Sequence, residues 1–293
     1  MSRAFDSGGA LHHRILEVAG GGLHVVDGGL AGRPAVLFLH GWPEDWSAFQ
    51  AIMEMLSGDA YVAALDLPGI GGSELLPESN DKRTLAKHVH EAIRSLDLDN
   101  VTLVGHDVGG MIVYAYLHEY AGTLKRAVIM NTAVPGLDPW DDIKRNPHIW
   151  HFAFHSIPAL PETLVTGREG AYFDFFYDAI AARPGAVAPG DRQRFRDAYA
   201  SPSALSTGFD WYRAFPRDER DNLVTRGTAV DTPVLYLRGE QERGDLDRYV
   251  LGLRDAGLRN VRGGRIPSSG HFAPNEAPGE VVDALRAFMG LPG

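Results

Sequence analysis

The amino-acid sequence predicts an α/β fold: a mostly parallel, doubly wound sheet with helices on both faces and a helical cap inserted before the last strands. Three observations carry this. Short apolar runs of strand length alternate with segments of helical periodicity, the order that builds parallel sheets. The alternation lapses once, over residues 138–228. A glycine-flanked aspartate, Asp107, stands where one strand gives way to a helix.

Residues 13–18 alternate polar and apolar side chains, as a half-buried strand does. Gly20-Gly21-Gly22 turns the chain into a second short strand over 23–26. Residues 35–39 read AVLFL, a continuous apolar run of the kind found in strands buried on both faces. Strands are expected again over 61–65, 101–104 and 127–130, separated by helical patterns over 46–56, 85–96 and 108–120. A later buried run, PVLYL at 233–237, precedes a helix over 246–256, a weaker strand over 260–266 and a final helix over 278–289. Residues 1–137 and 229–293 therefore read as a core and 138–228 as a helical cap. That insertion carries 15 of the chain's 28 aromatic residues. They either make a small core of their own or form the aromatic underside of a pocket.

Composition narrows the function. Across 293 residues, 28 Lys and Arg face 38 Asp and Glu, a net charge of −10, which argues against nucleic acid or an anionic membrane as the main partner. With no cysteine, disulfide scaffolds, zinc–thiolate sites, iron–sulfur ligation and cysteine nucleophiles are excluded. No run reaches 18 apolar residues and the N-terminal stretch has no apolar leader core, so a cytoplasmic protein is expected. No metal or organic cofactor is expected either. There is no His-Glu-x-x-His, His88 and His90 fall on different faces of their helix, and the GIGGS stretch at 69–73 lacks a P-loop lysine.

Three segments carry chemistry. VTLVGHDVGGM, residues 101–111, runs strand, sharp turn, helix, with Gly105, Gly109 and Gly110 around Asp107. Small neighbours let a nucleophile sit in a strained backbone at the tip of such a turn, at the carboxyl end of a strand. The alternative role for Asp107 is that of helix N-cap, a common one for aspartate. LHGWPEDW, residues 39–46, follows the third strand. The backbone N–H of Trp42 there and that of Val108 are candidates for an oxyanion hole, and a cis bond before Pro43 is expected. PSSGHFAPNEAP, residues 267–278, places His271 in a loop after the last strand. A lone loop histidine is ordinarily a solvated surface group, but nucleophile, acid, then histidine is the order of the hydrolase triads.

Together HGWP, GHDVGG and the late GHF resemble the α/β-hydrolase fold, and the aspartate at the elbow makes the chain similar to its epoxide hydrolase and dehalogenase branch. The resemblance spans essentially the whole chain. It implies hydrolysis of a small, apolar epoxide to a vicinal diol through an ester on Asp107, without cofactor or metal, by a protein whose only other expected partner is a second copy of itself. It also implies two cap residues that donate to the oxirane oxygen. FDWYRAF, residues 209–215, maps one onto Tyr212; residues 150–164, WHFAFHSIPALPETL, map the other onto His151, where a tyrosine is usual. Otherwise these two are a core tyrosine and a packed helix histidine. For the triad acid, some relatives use the end of the strand matching 127–130, which here is the uncharged Asn131, and others the loop after PVLYL, where the resemblance maps the acid onto Glu242 with Glu240 as its rival. Val108, Gly109, Gly110 and Met111 after the nucleophile supply neither the halide-holding tryptophan nor the carboxylate-holding arginines of many dehalogenases. A dehalogenase is thus the alternative enzyme, and a non-catalytic receptor for hydrophobic ligands the alternative of another class.

Overall fold

The computed structural model of the protein describes residues 11–76 and 78–292; the N-terminal stretch read above for a leader begins in residues 1–10, outside the described residues. Among the described residues, eight strands form one sheet: β1 His12–Val18, β2 Gly21–Gly29, β3 Ala35–Leu39, β4 Tyr61–Leu65, β5 Val101–His106, β6 Arg126–Met130, β7 Val234–Gly239 and β8 Val261–Ile266. Their spatial order is β1-β2-β4-β3-β5-β6-β7-β8. β2 runs antiparallel to β1 and to β4, and the other neighbouring pairs are parallel. This is the α/β, mostly parallel sheet expected from the alternation of patterns.

Burial explains why some strands are legible in the sequence. Every residue of β3, β4 and β5 is buried, whereas the edge strands β1 and β8 expose much of their length. Three helices follow in the first half: α1 Gln50–Leu56 (after a 3-10 turn at Trp46–Phe49), α2 Lys82–Ser95 and α3 Val108–Glu119. α2 begins three residues before its apolar periodicity because the Asp81 carboxylate caps it, accepting the Thr84 N–H at 3.0 Å. α3 is buried around nearly its whole circumference, as a helix packed into the middle of a core must be. Between β6 and β7 lie seven helices: α4 Trp140–Arg145, α5 Trp150–Ser156, α6 Leu160–Val165, α7 Glu169–Ile180, α8 Pro189–Ala198, α9 Pro202–Arg213 and α10 Phe215–Thr225. The chain closes with α11 Leu246–Asp255, a short α12 Ala273–Glu276 and α13 Pro278–Met289. No helix among the described residues is long and apolar enough to cross a membrane.

The topology dictates where a site belongs. From β3 the chain steps outward to β4 on one side and then returns to β5 on the other. Open α/β sheets place their ligands at such a switch point, beyond the carboxyl ends of the strands. Trp42 follows β3, Asp107 follows β5, Asn131 follows β6, Glu242 follows β7 and His271 follows β8.

Candidate active site

β5 runs two residues further than its apolar core, to His106, and the chain turns at Asp107, whose φ of 50° and ψ of −118° lie in a region L-residues rarely occupy. Such a conformation costs about 1–3 kcal/mol and persists only where surrounding structure enforces it. The enforcement is close packing: a Cβ on Gly41 would overlap the Asp107 side chain, and one on Gly109 would overlap the Leu39 carbonyl. The carboxylate does not cap α3. Its Oδ1 instead accepts the backbone N–H of Trp42 at 2.9 Å, and Oδ2 lies 3.7 Å from His271 Nε2. Val108 opens α3, so its N–H belongs to the unpaired first turn of that helix. The Trp42–Pro43 bond is cis, as expected.

His271 Nδ1 meets Glu242 Oε1 at 3.1 Å. With the Nδ1 proton donated there, Nε2 presents its lone pair toward Asp107. Of the two loop acids, only Glu242 reaches this histidine. Glu240 is exposed and accepts the Ser268 N–H at 3.2 Å. The cause is local: Gln241 N–H bonds to the Ser269 carbonyl at 2.9 Å, which fixes the loop so that successive acids diverge. Burial opposes charge on Glu242, but Arg238 at 3.1 Å and donation from His271 and Asn131 hold its carboxyl below the usual range. Asn131 Nδ2 donates to Glu242 Oε2 at 3.0 Å and to the Gly270 carbonyl at 3.1 Å, so the uncharged residue after β6 helps hold the Glu242 carboxylate in place.

A cavity of about 730 Å³ opens above these groups. Asp107, Trp42 and His271 line its floor, and Tyr212 from α9 and His151 from α5 line it from the inserted helices. The two rings are 5.8 Å apart, and both pack near Trp42. Burial lowers the His151 pKa to about 3, with His271 adding to the effect, so His151 is a neutral imidazole at any physiological pH. Burial, then the Asp107 charge, pushes the Tyr212 phenol well above its ordinary value, which keeps its proton on. The aromatic insertion thus has both of the roles open to it in sequence: it makes a core and it walls a pocket.

Sequence reasoning does not reach the layer beneath. His106, fully buried, meets Glu44 Oε2 at 2.8 Å through Nδ1 and the His271 carbonyl at 2.8 Å through Nε2. Burial opposes its charge, but Glu44 lifts its pKa to about 9, and Glu44 is in turn held low. A raised histidine stabilises fully below its unfolded pKa and loses this as pH climbs through the folded one. Thermal melts should therefore show His106→Gln well below wild type at pH 6.5, with the gap closing toward pH 9. A gap that does not depend on pH would show that the pair is uncharged.

A family model for the alpha/beta hydrolase fold matches residues 34–278. A soluble epoxide hydrolase from Corynebacterium sp. (strain C12) is 30% identical over 287 residues, covering 96% of this chain and 98% of that protein. A fluoroacetate dehalogenase from Burkholderia sp. is 26% identical over 94% of this chain and 93% of its own length. The solved structure of the epoxide hydrolase CorEH without ligand superposes with a TM-score of 0.87 at 26% identity, covering 96% of this chain and 99% of that one. With the family's model matching residues 34–278, most of its length, the chain belongs to the α/β-hydrolase fold family.

Proposed function

We propose that the protein is an epoxide hydrolase that converts an apolar epoxide and water to a vicinal diol. The observation that carries this is the opposition, across one cavity, of an elbow carboxylate flanked by His271 and Glu242 and two neutral cap donors, Tyr212 and His151. Residues 138–228 act as the cap over a core of 1–137 and 229–293. Its similarity to a soluble epoxide hydrolase over nearly the full length supports the same reading. The enzyme works in the cytoplasm without a cofactor.

Asp107 Oδ2 attacks an oxirane carbon in line. The carbon–oxygen bond of the ring breaks, and its electron pair goes to the leaving oxygen. Tyr212 and His151 donate hydrogen bonds to that oxygen as it becomes an alkoxide, and Tyr212 passes it the proton that makes it a hydroxyl. The product is an ester on Asp107. His271, held by Glu242, then removes a proton from water, and the hydroxide adds to the ester carbonyl carbon. The carbonyl oxygen is Oδ1, which already accepts the Trp42 N–H. That amide, joined by the Val108 N–H, stabilises the oxyanion. Collapse returns the His271 proton to the departing oxygen and releases the diol, and the carboxyl proton passes back to Tyr212, which restores the carboxylate. A carboxylate suits this chemistry because its ester offers a carbonyl to water, whereas an alkylated serine would be an ether with no such exit.

Purified protein given a panel of aryl and alkyl epoxides, haloalkanes and haloacetates should form diols and release no halide. Halide release without diol would assign it to the dehalogenases, and saturable binding without either product to the receptors. Tyr212→Phe should slow ester formation about 10²-fold, the scale for losing one donor to a developing oxyanion. Ester hydrolysis should be nearly unaffected. Equal slowing of both half-reactions in single-turnover experiments would contradict the donor role.

A further inference from the structure

Lys82, the first residue of α2, is buried far from Asp107 in sequence and takes no part in the chemistry above. Its backbone N–H donates to Asp218 Oδ1 at 2.8 Å, and its Nζ donates to Asp218 Oδ2 at 2.8 Å and to the Trp211 carbonyl at 2.6 Å. The ammonium also lies 4.8 Å from the centroid of the Phe215 ring. Asp218 belongs to α10, and Trp211 precedes Tyr212 in the last turn of α9. Phe215 packs against Tyr212 with ring centroids 5.1 Å apart. A single lysine of the hydrolase core thus holds the end of the helix that carries Tyr212 and the start of the next.

The chemistry favours this placement. The last carbonyls of a helix have no intrahelical donor and carry the negative end of its dipole, so a buried cation there is both partner and counter-charge. Yet a desolvated ion pair contributes little net stability compared with apolar residues of similar size. What it supplies is direction: two donors on one residue fix α9 and α10 relative to α2. We propose that Lys82 is a positioning residue that sets the Tyr212 hydroxyl over Asp107 for ring opening, an inference that rests on Tyr212 being an oxirane donor.

The test is a double-mutant cycle between Lys82→Met and Tyr212→Phe. Excess enzyme is mixed with a phenyl-substituted terminal epoxide, and ester formation and decay are followed separately by chemical quench. Lys82→Met should slow ester formation about 10-fold, since misplacement by a fraction of an ångström has effects of that order. Ester decay should change by less than about twofold, and in the Tyr212→Phe background Lys82→Met should cost no more than about twofold. A purely structural lysine would lower Tm or the active fraction, and any rate effect would multiply through with that of Tyr212→Phe. Burial already pushes the Asp218 carboxyl up, so it can take a proton when Lys82 is lost. Should Lys82→Met still fold poorly, Lys82→Met/Asp218→Asn removes the orphaned acid and goes through the same cycle with the same expectation. Normal ester formation in the lysine variants beside a slow Tyr212→Phe, or independent effects, would overturn the inference alone. An unaffected Tyr212→Phe would overturn the donor reading and the inference with it.

Discussion

Asp107→Ala is expected to abolish diol formation, by about 10⁴-fold or more, because the ester forms on this carboxylate and the nearby Glu242 is held by His271, Asn131 and Arg238. On the proposed route this carboxylate is the nucleophile, with Oδ1 tied to the Trp42 amide and Oδ2 left facing His271 and the cavity. Removing it leaves the donors Tyr212 and His151 intact, so the variant should still bind substrate. It should also fold. The strained φ of 50° is set by the turn and its glycine neighbours rather than by the carboxylate, and alanine adds no bulk. Asp107→Asn should start equally inactive and regain activity slowly if the amide hydrolyses back to the acid. Diol formation at an undiminished rate by freshly prepared Asp107→Ala, with its fold verified, would mean that water attacks the epoxide directly.

His271→Gln should split the reaction at its midpoint. Ester formation needs Asp107, Tyr212 and His151 and should continue near its normal rate. Ester hydrolysis loses its general base, worth about 10²–10⁴-fold. The variant should therefore consume about one equivalent of epoxide and stop, and its intact mass should rise by the full mass of the substrate. The size of that increment is diagnostic, since opening a ring retains all its atoms whereas displacing a halide does not. Glu242→Gln should show a weaker form of the same trap, because the histidine would lose the carboxylate that orients it. An ester that fails to accumulate in His271→Gln while diol formation persists would remove His271 from the mechanism.

The parts of the fold that are legible in sequence are those in which burial imposes a pattern. β3 and β4 are legible to the residue because strands covered on both faces are apolar throughout. The elbow is legible because a turn this tight excludes side chains on both flanks, leaving glycines around Asp107. The start of α2 is not, because capping by Asp81 extends the helix past its apolar stripe. Glu240 and Glu242 are inseparable in sequence because a two-residue difference within a loop has no periodic meaning. Their fates diverge only through contacts with Ser268, Ser269, Asn131 and Arg238. Glu44 and His106 each lie inside a segment that draws attention for other reasons, and Lys82 and Asp218 lie far apart in the chain. Such pairs exist only once the sheet order brings β3 beside β5 and the inserted helices down onto α2.

The most direct measurement is a single turnover in water enriched in heavy oxygen, with enzyme in excess over epoxide, followed by peptide mass mapping. With Asp107 as nucleophile, the hydroxide adds to the ester carbonyl carbon, so the label enters the peptide containing Asp107 and the first diol released carries only ordinary oxygen. Label in that first diol with none in the Asp107 peptide would contradict the covalent route.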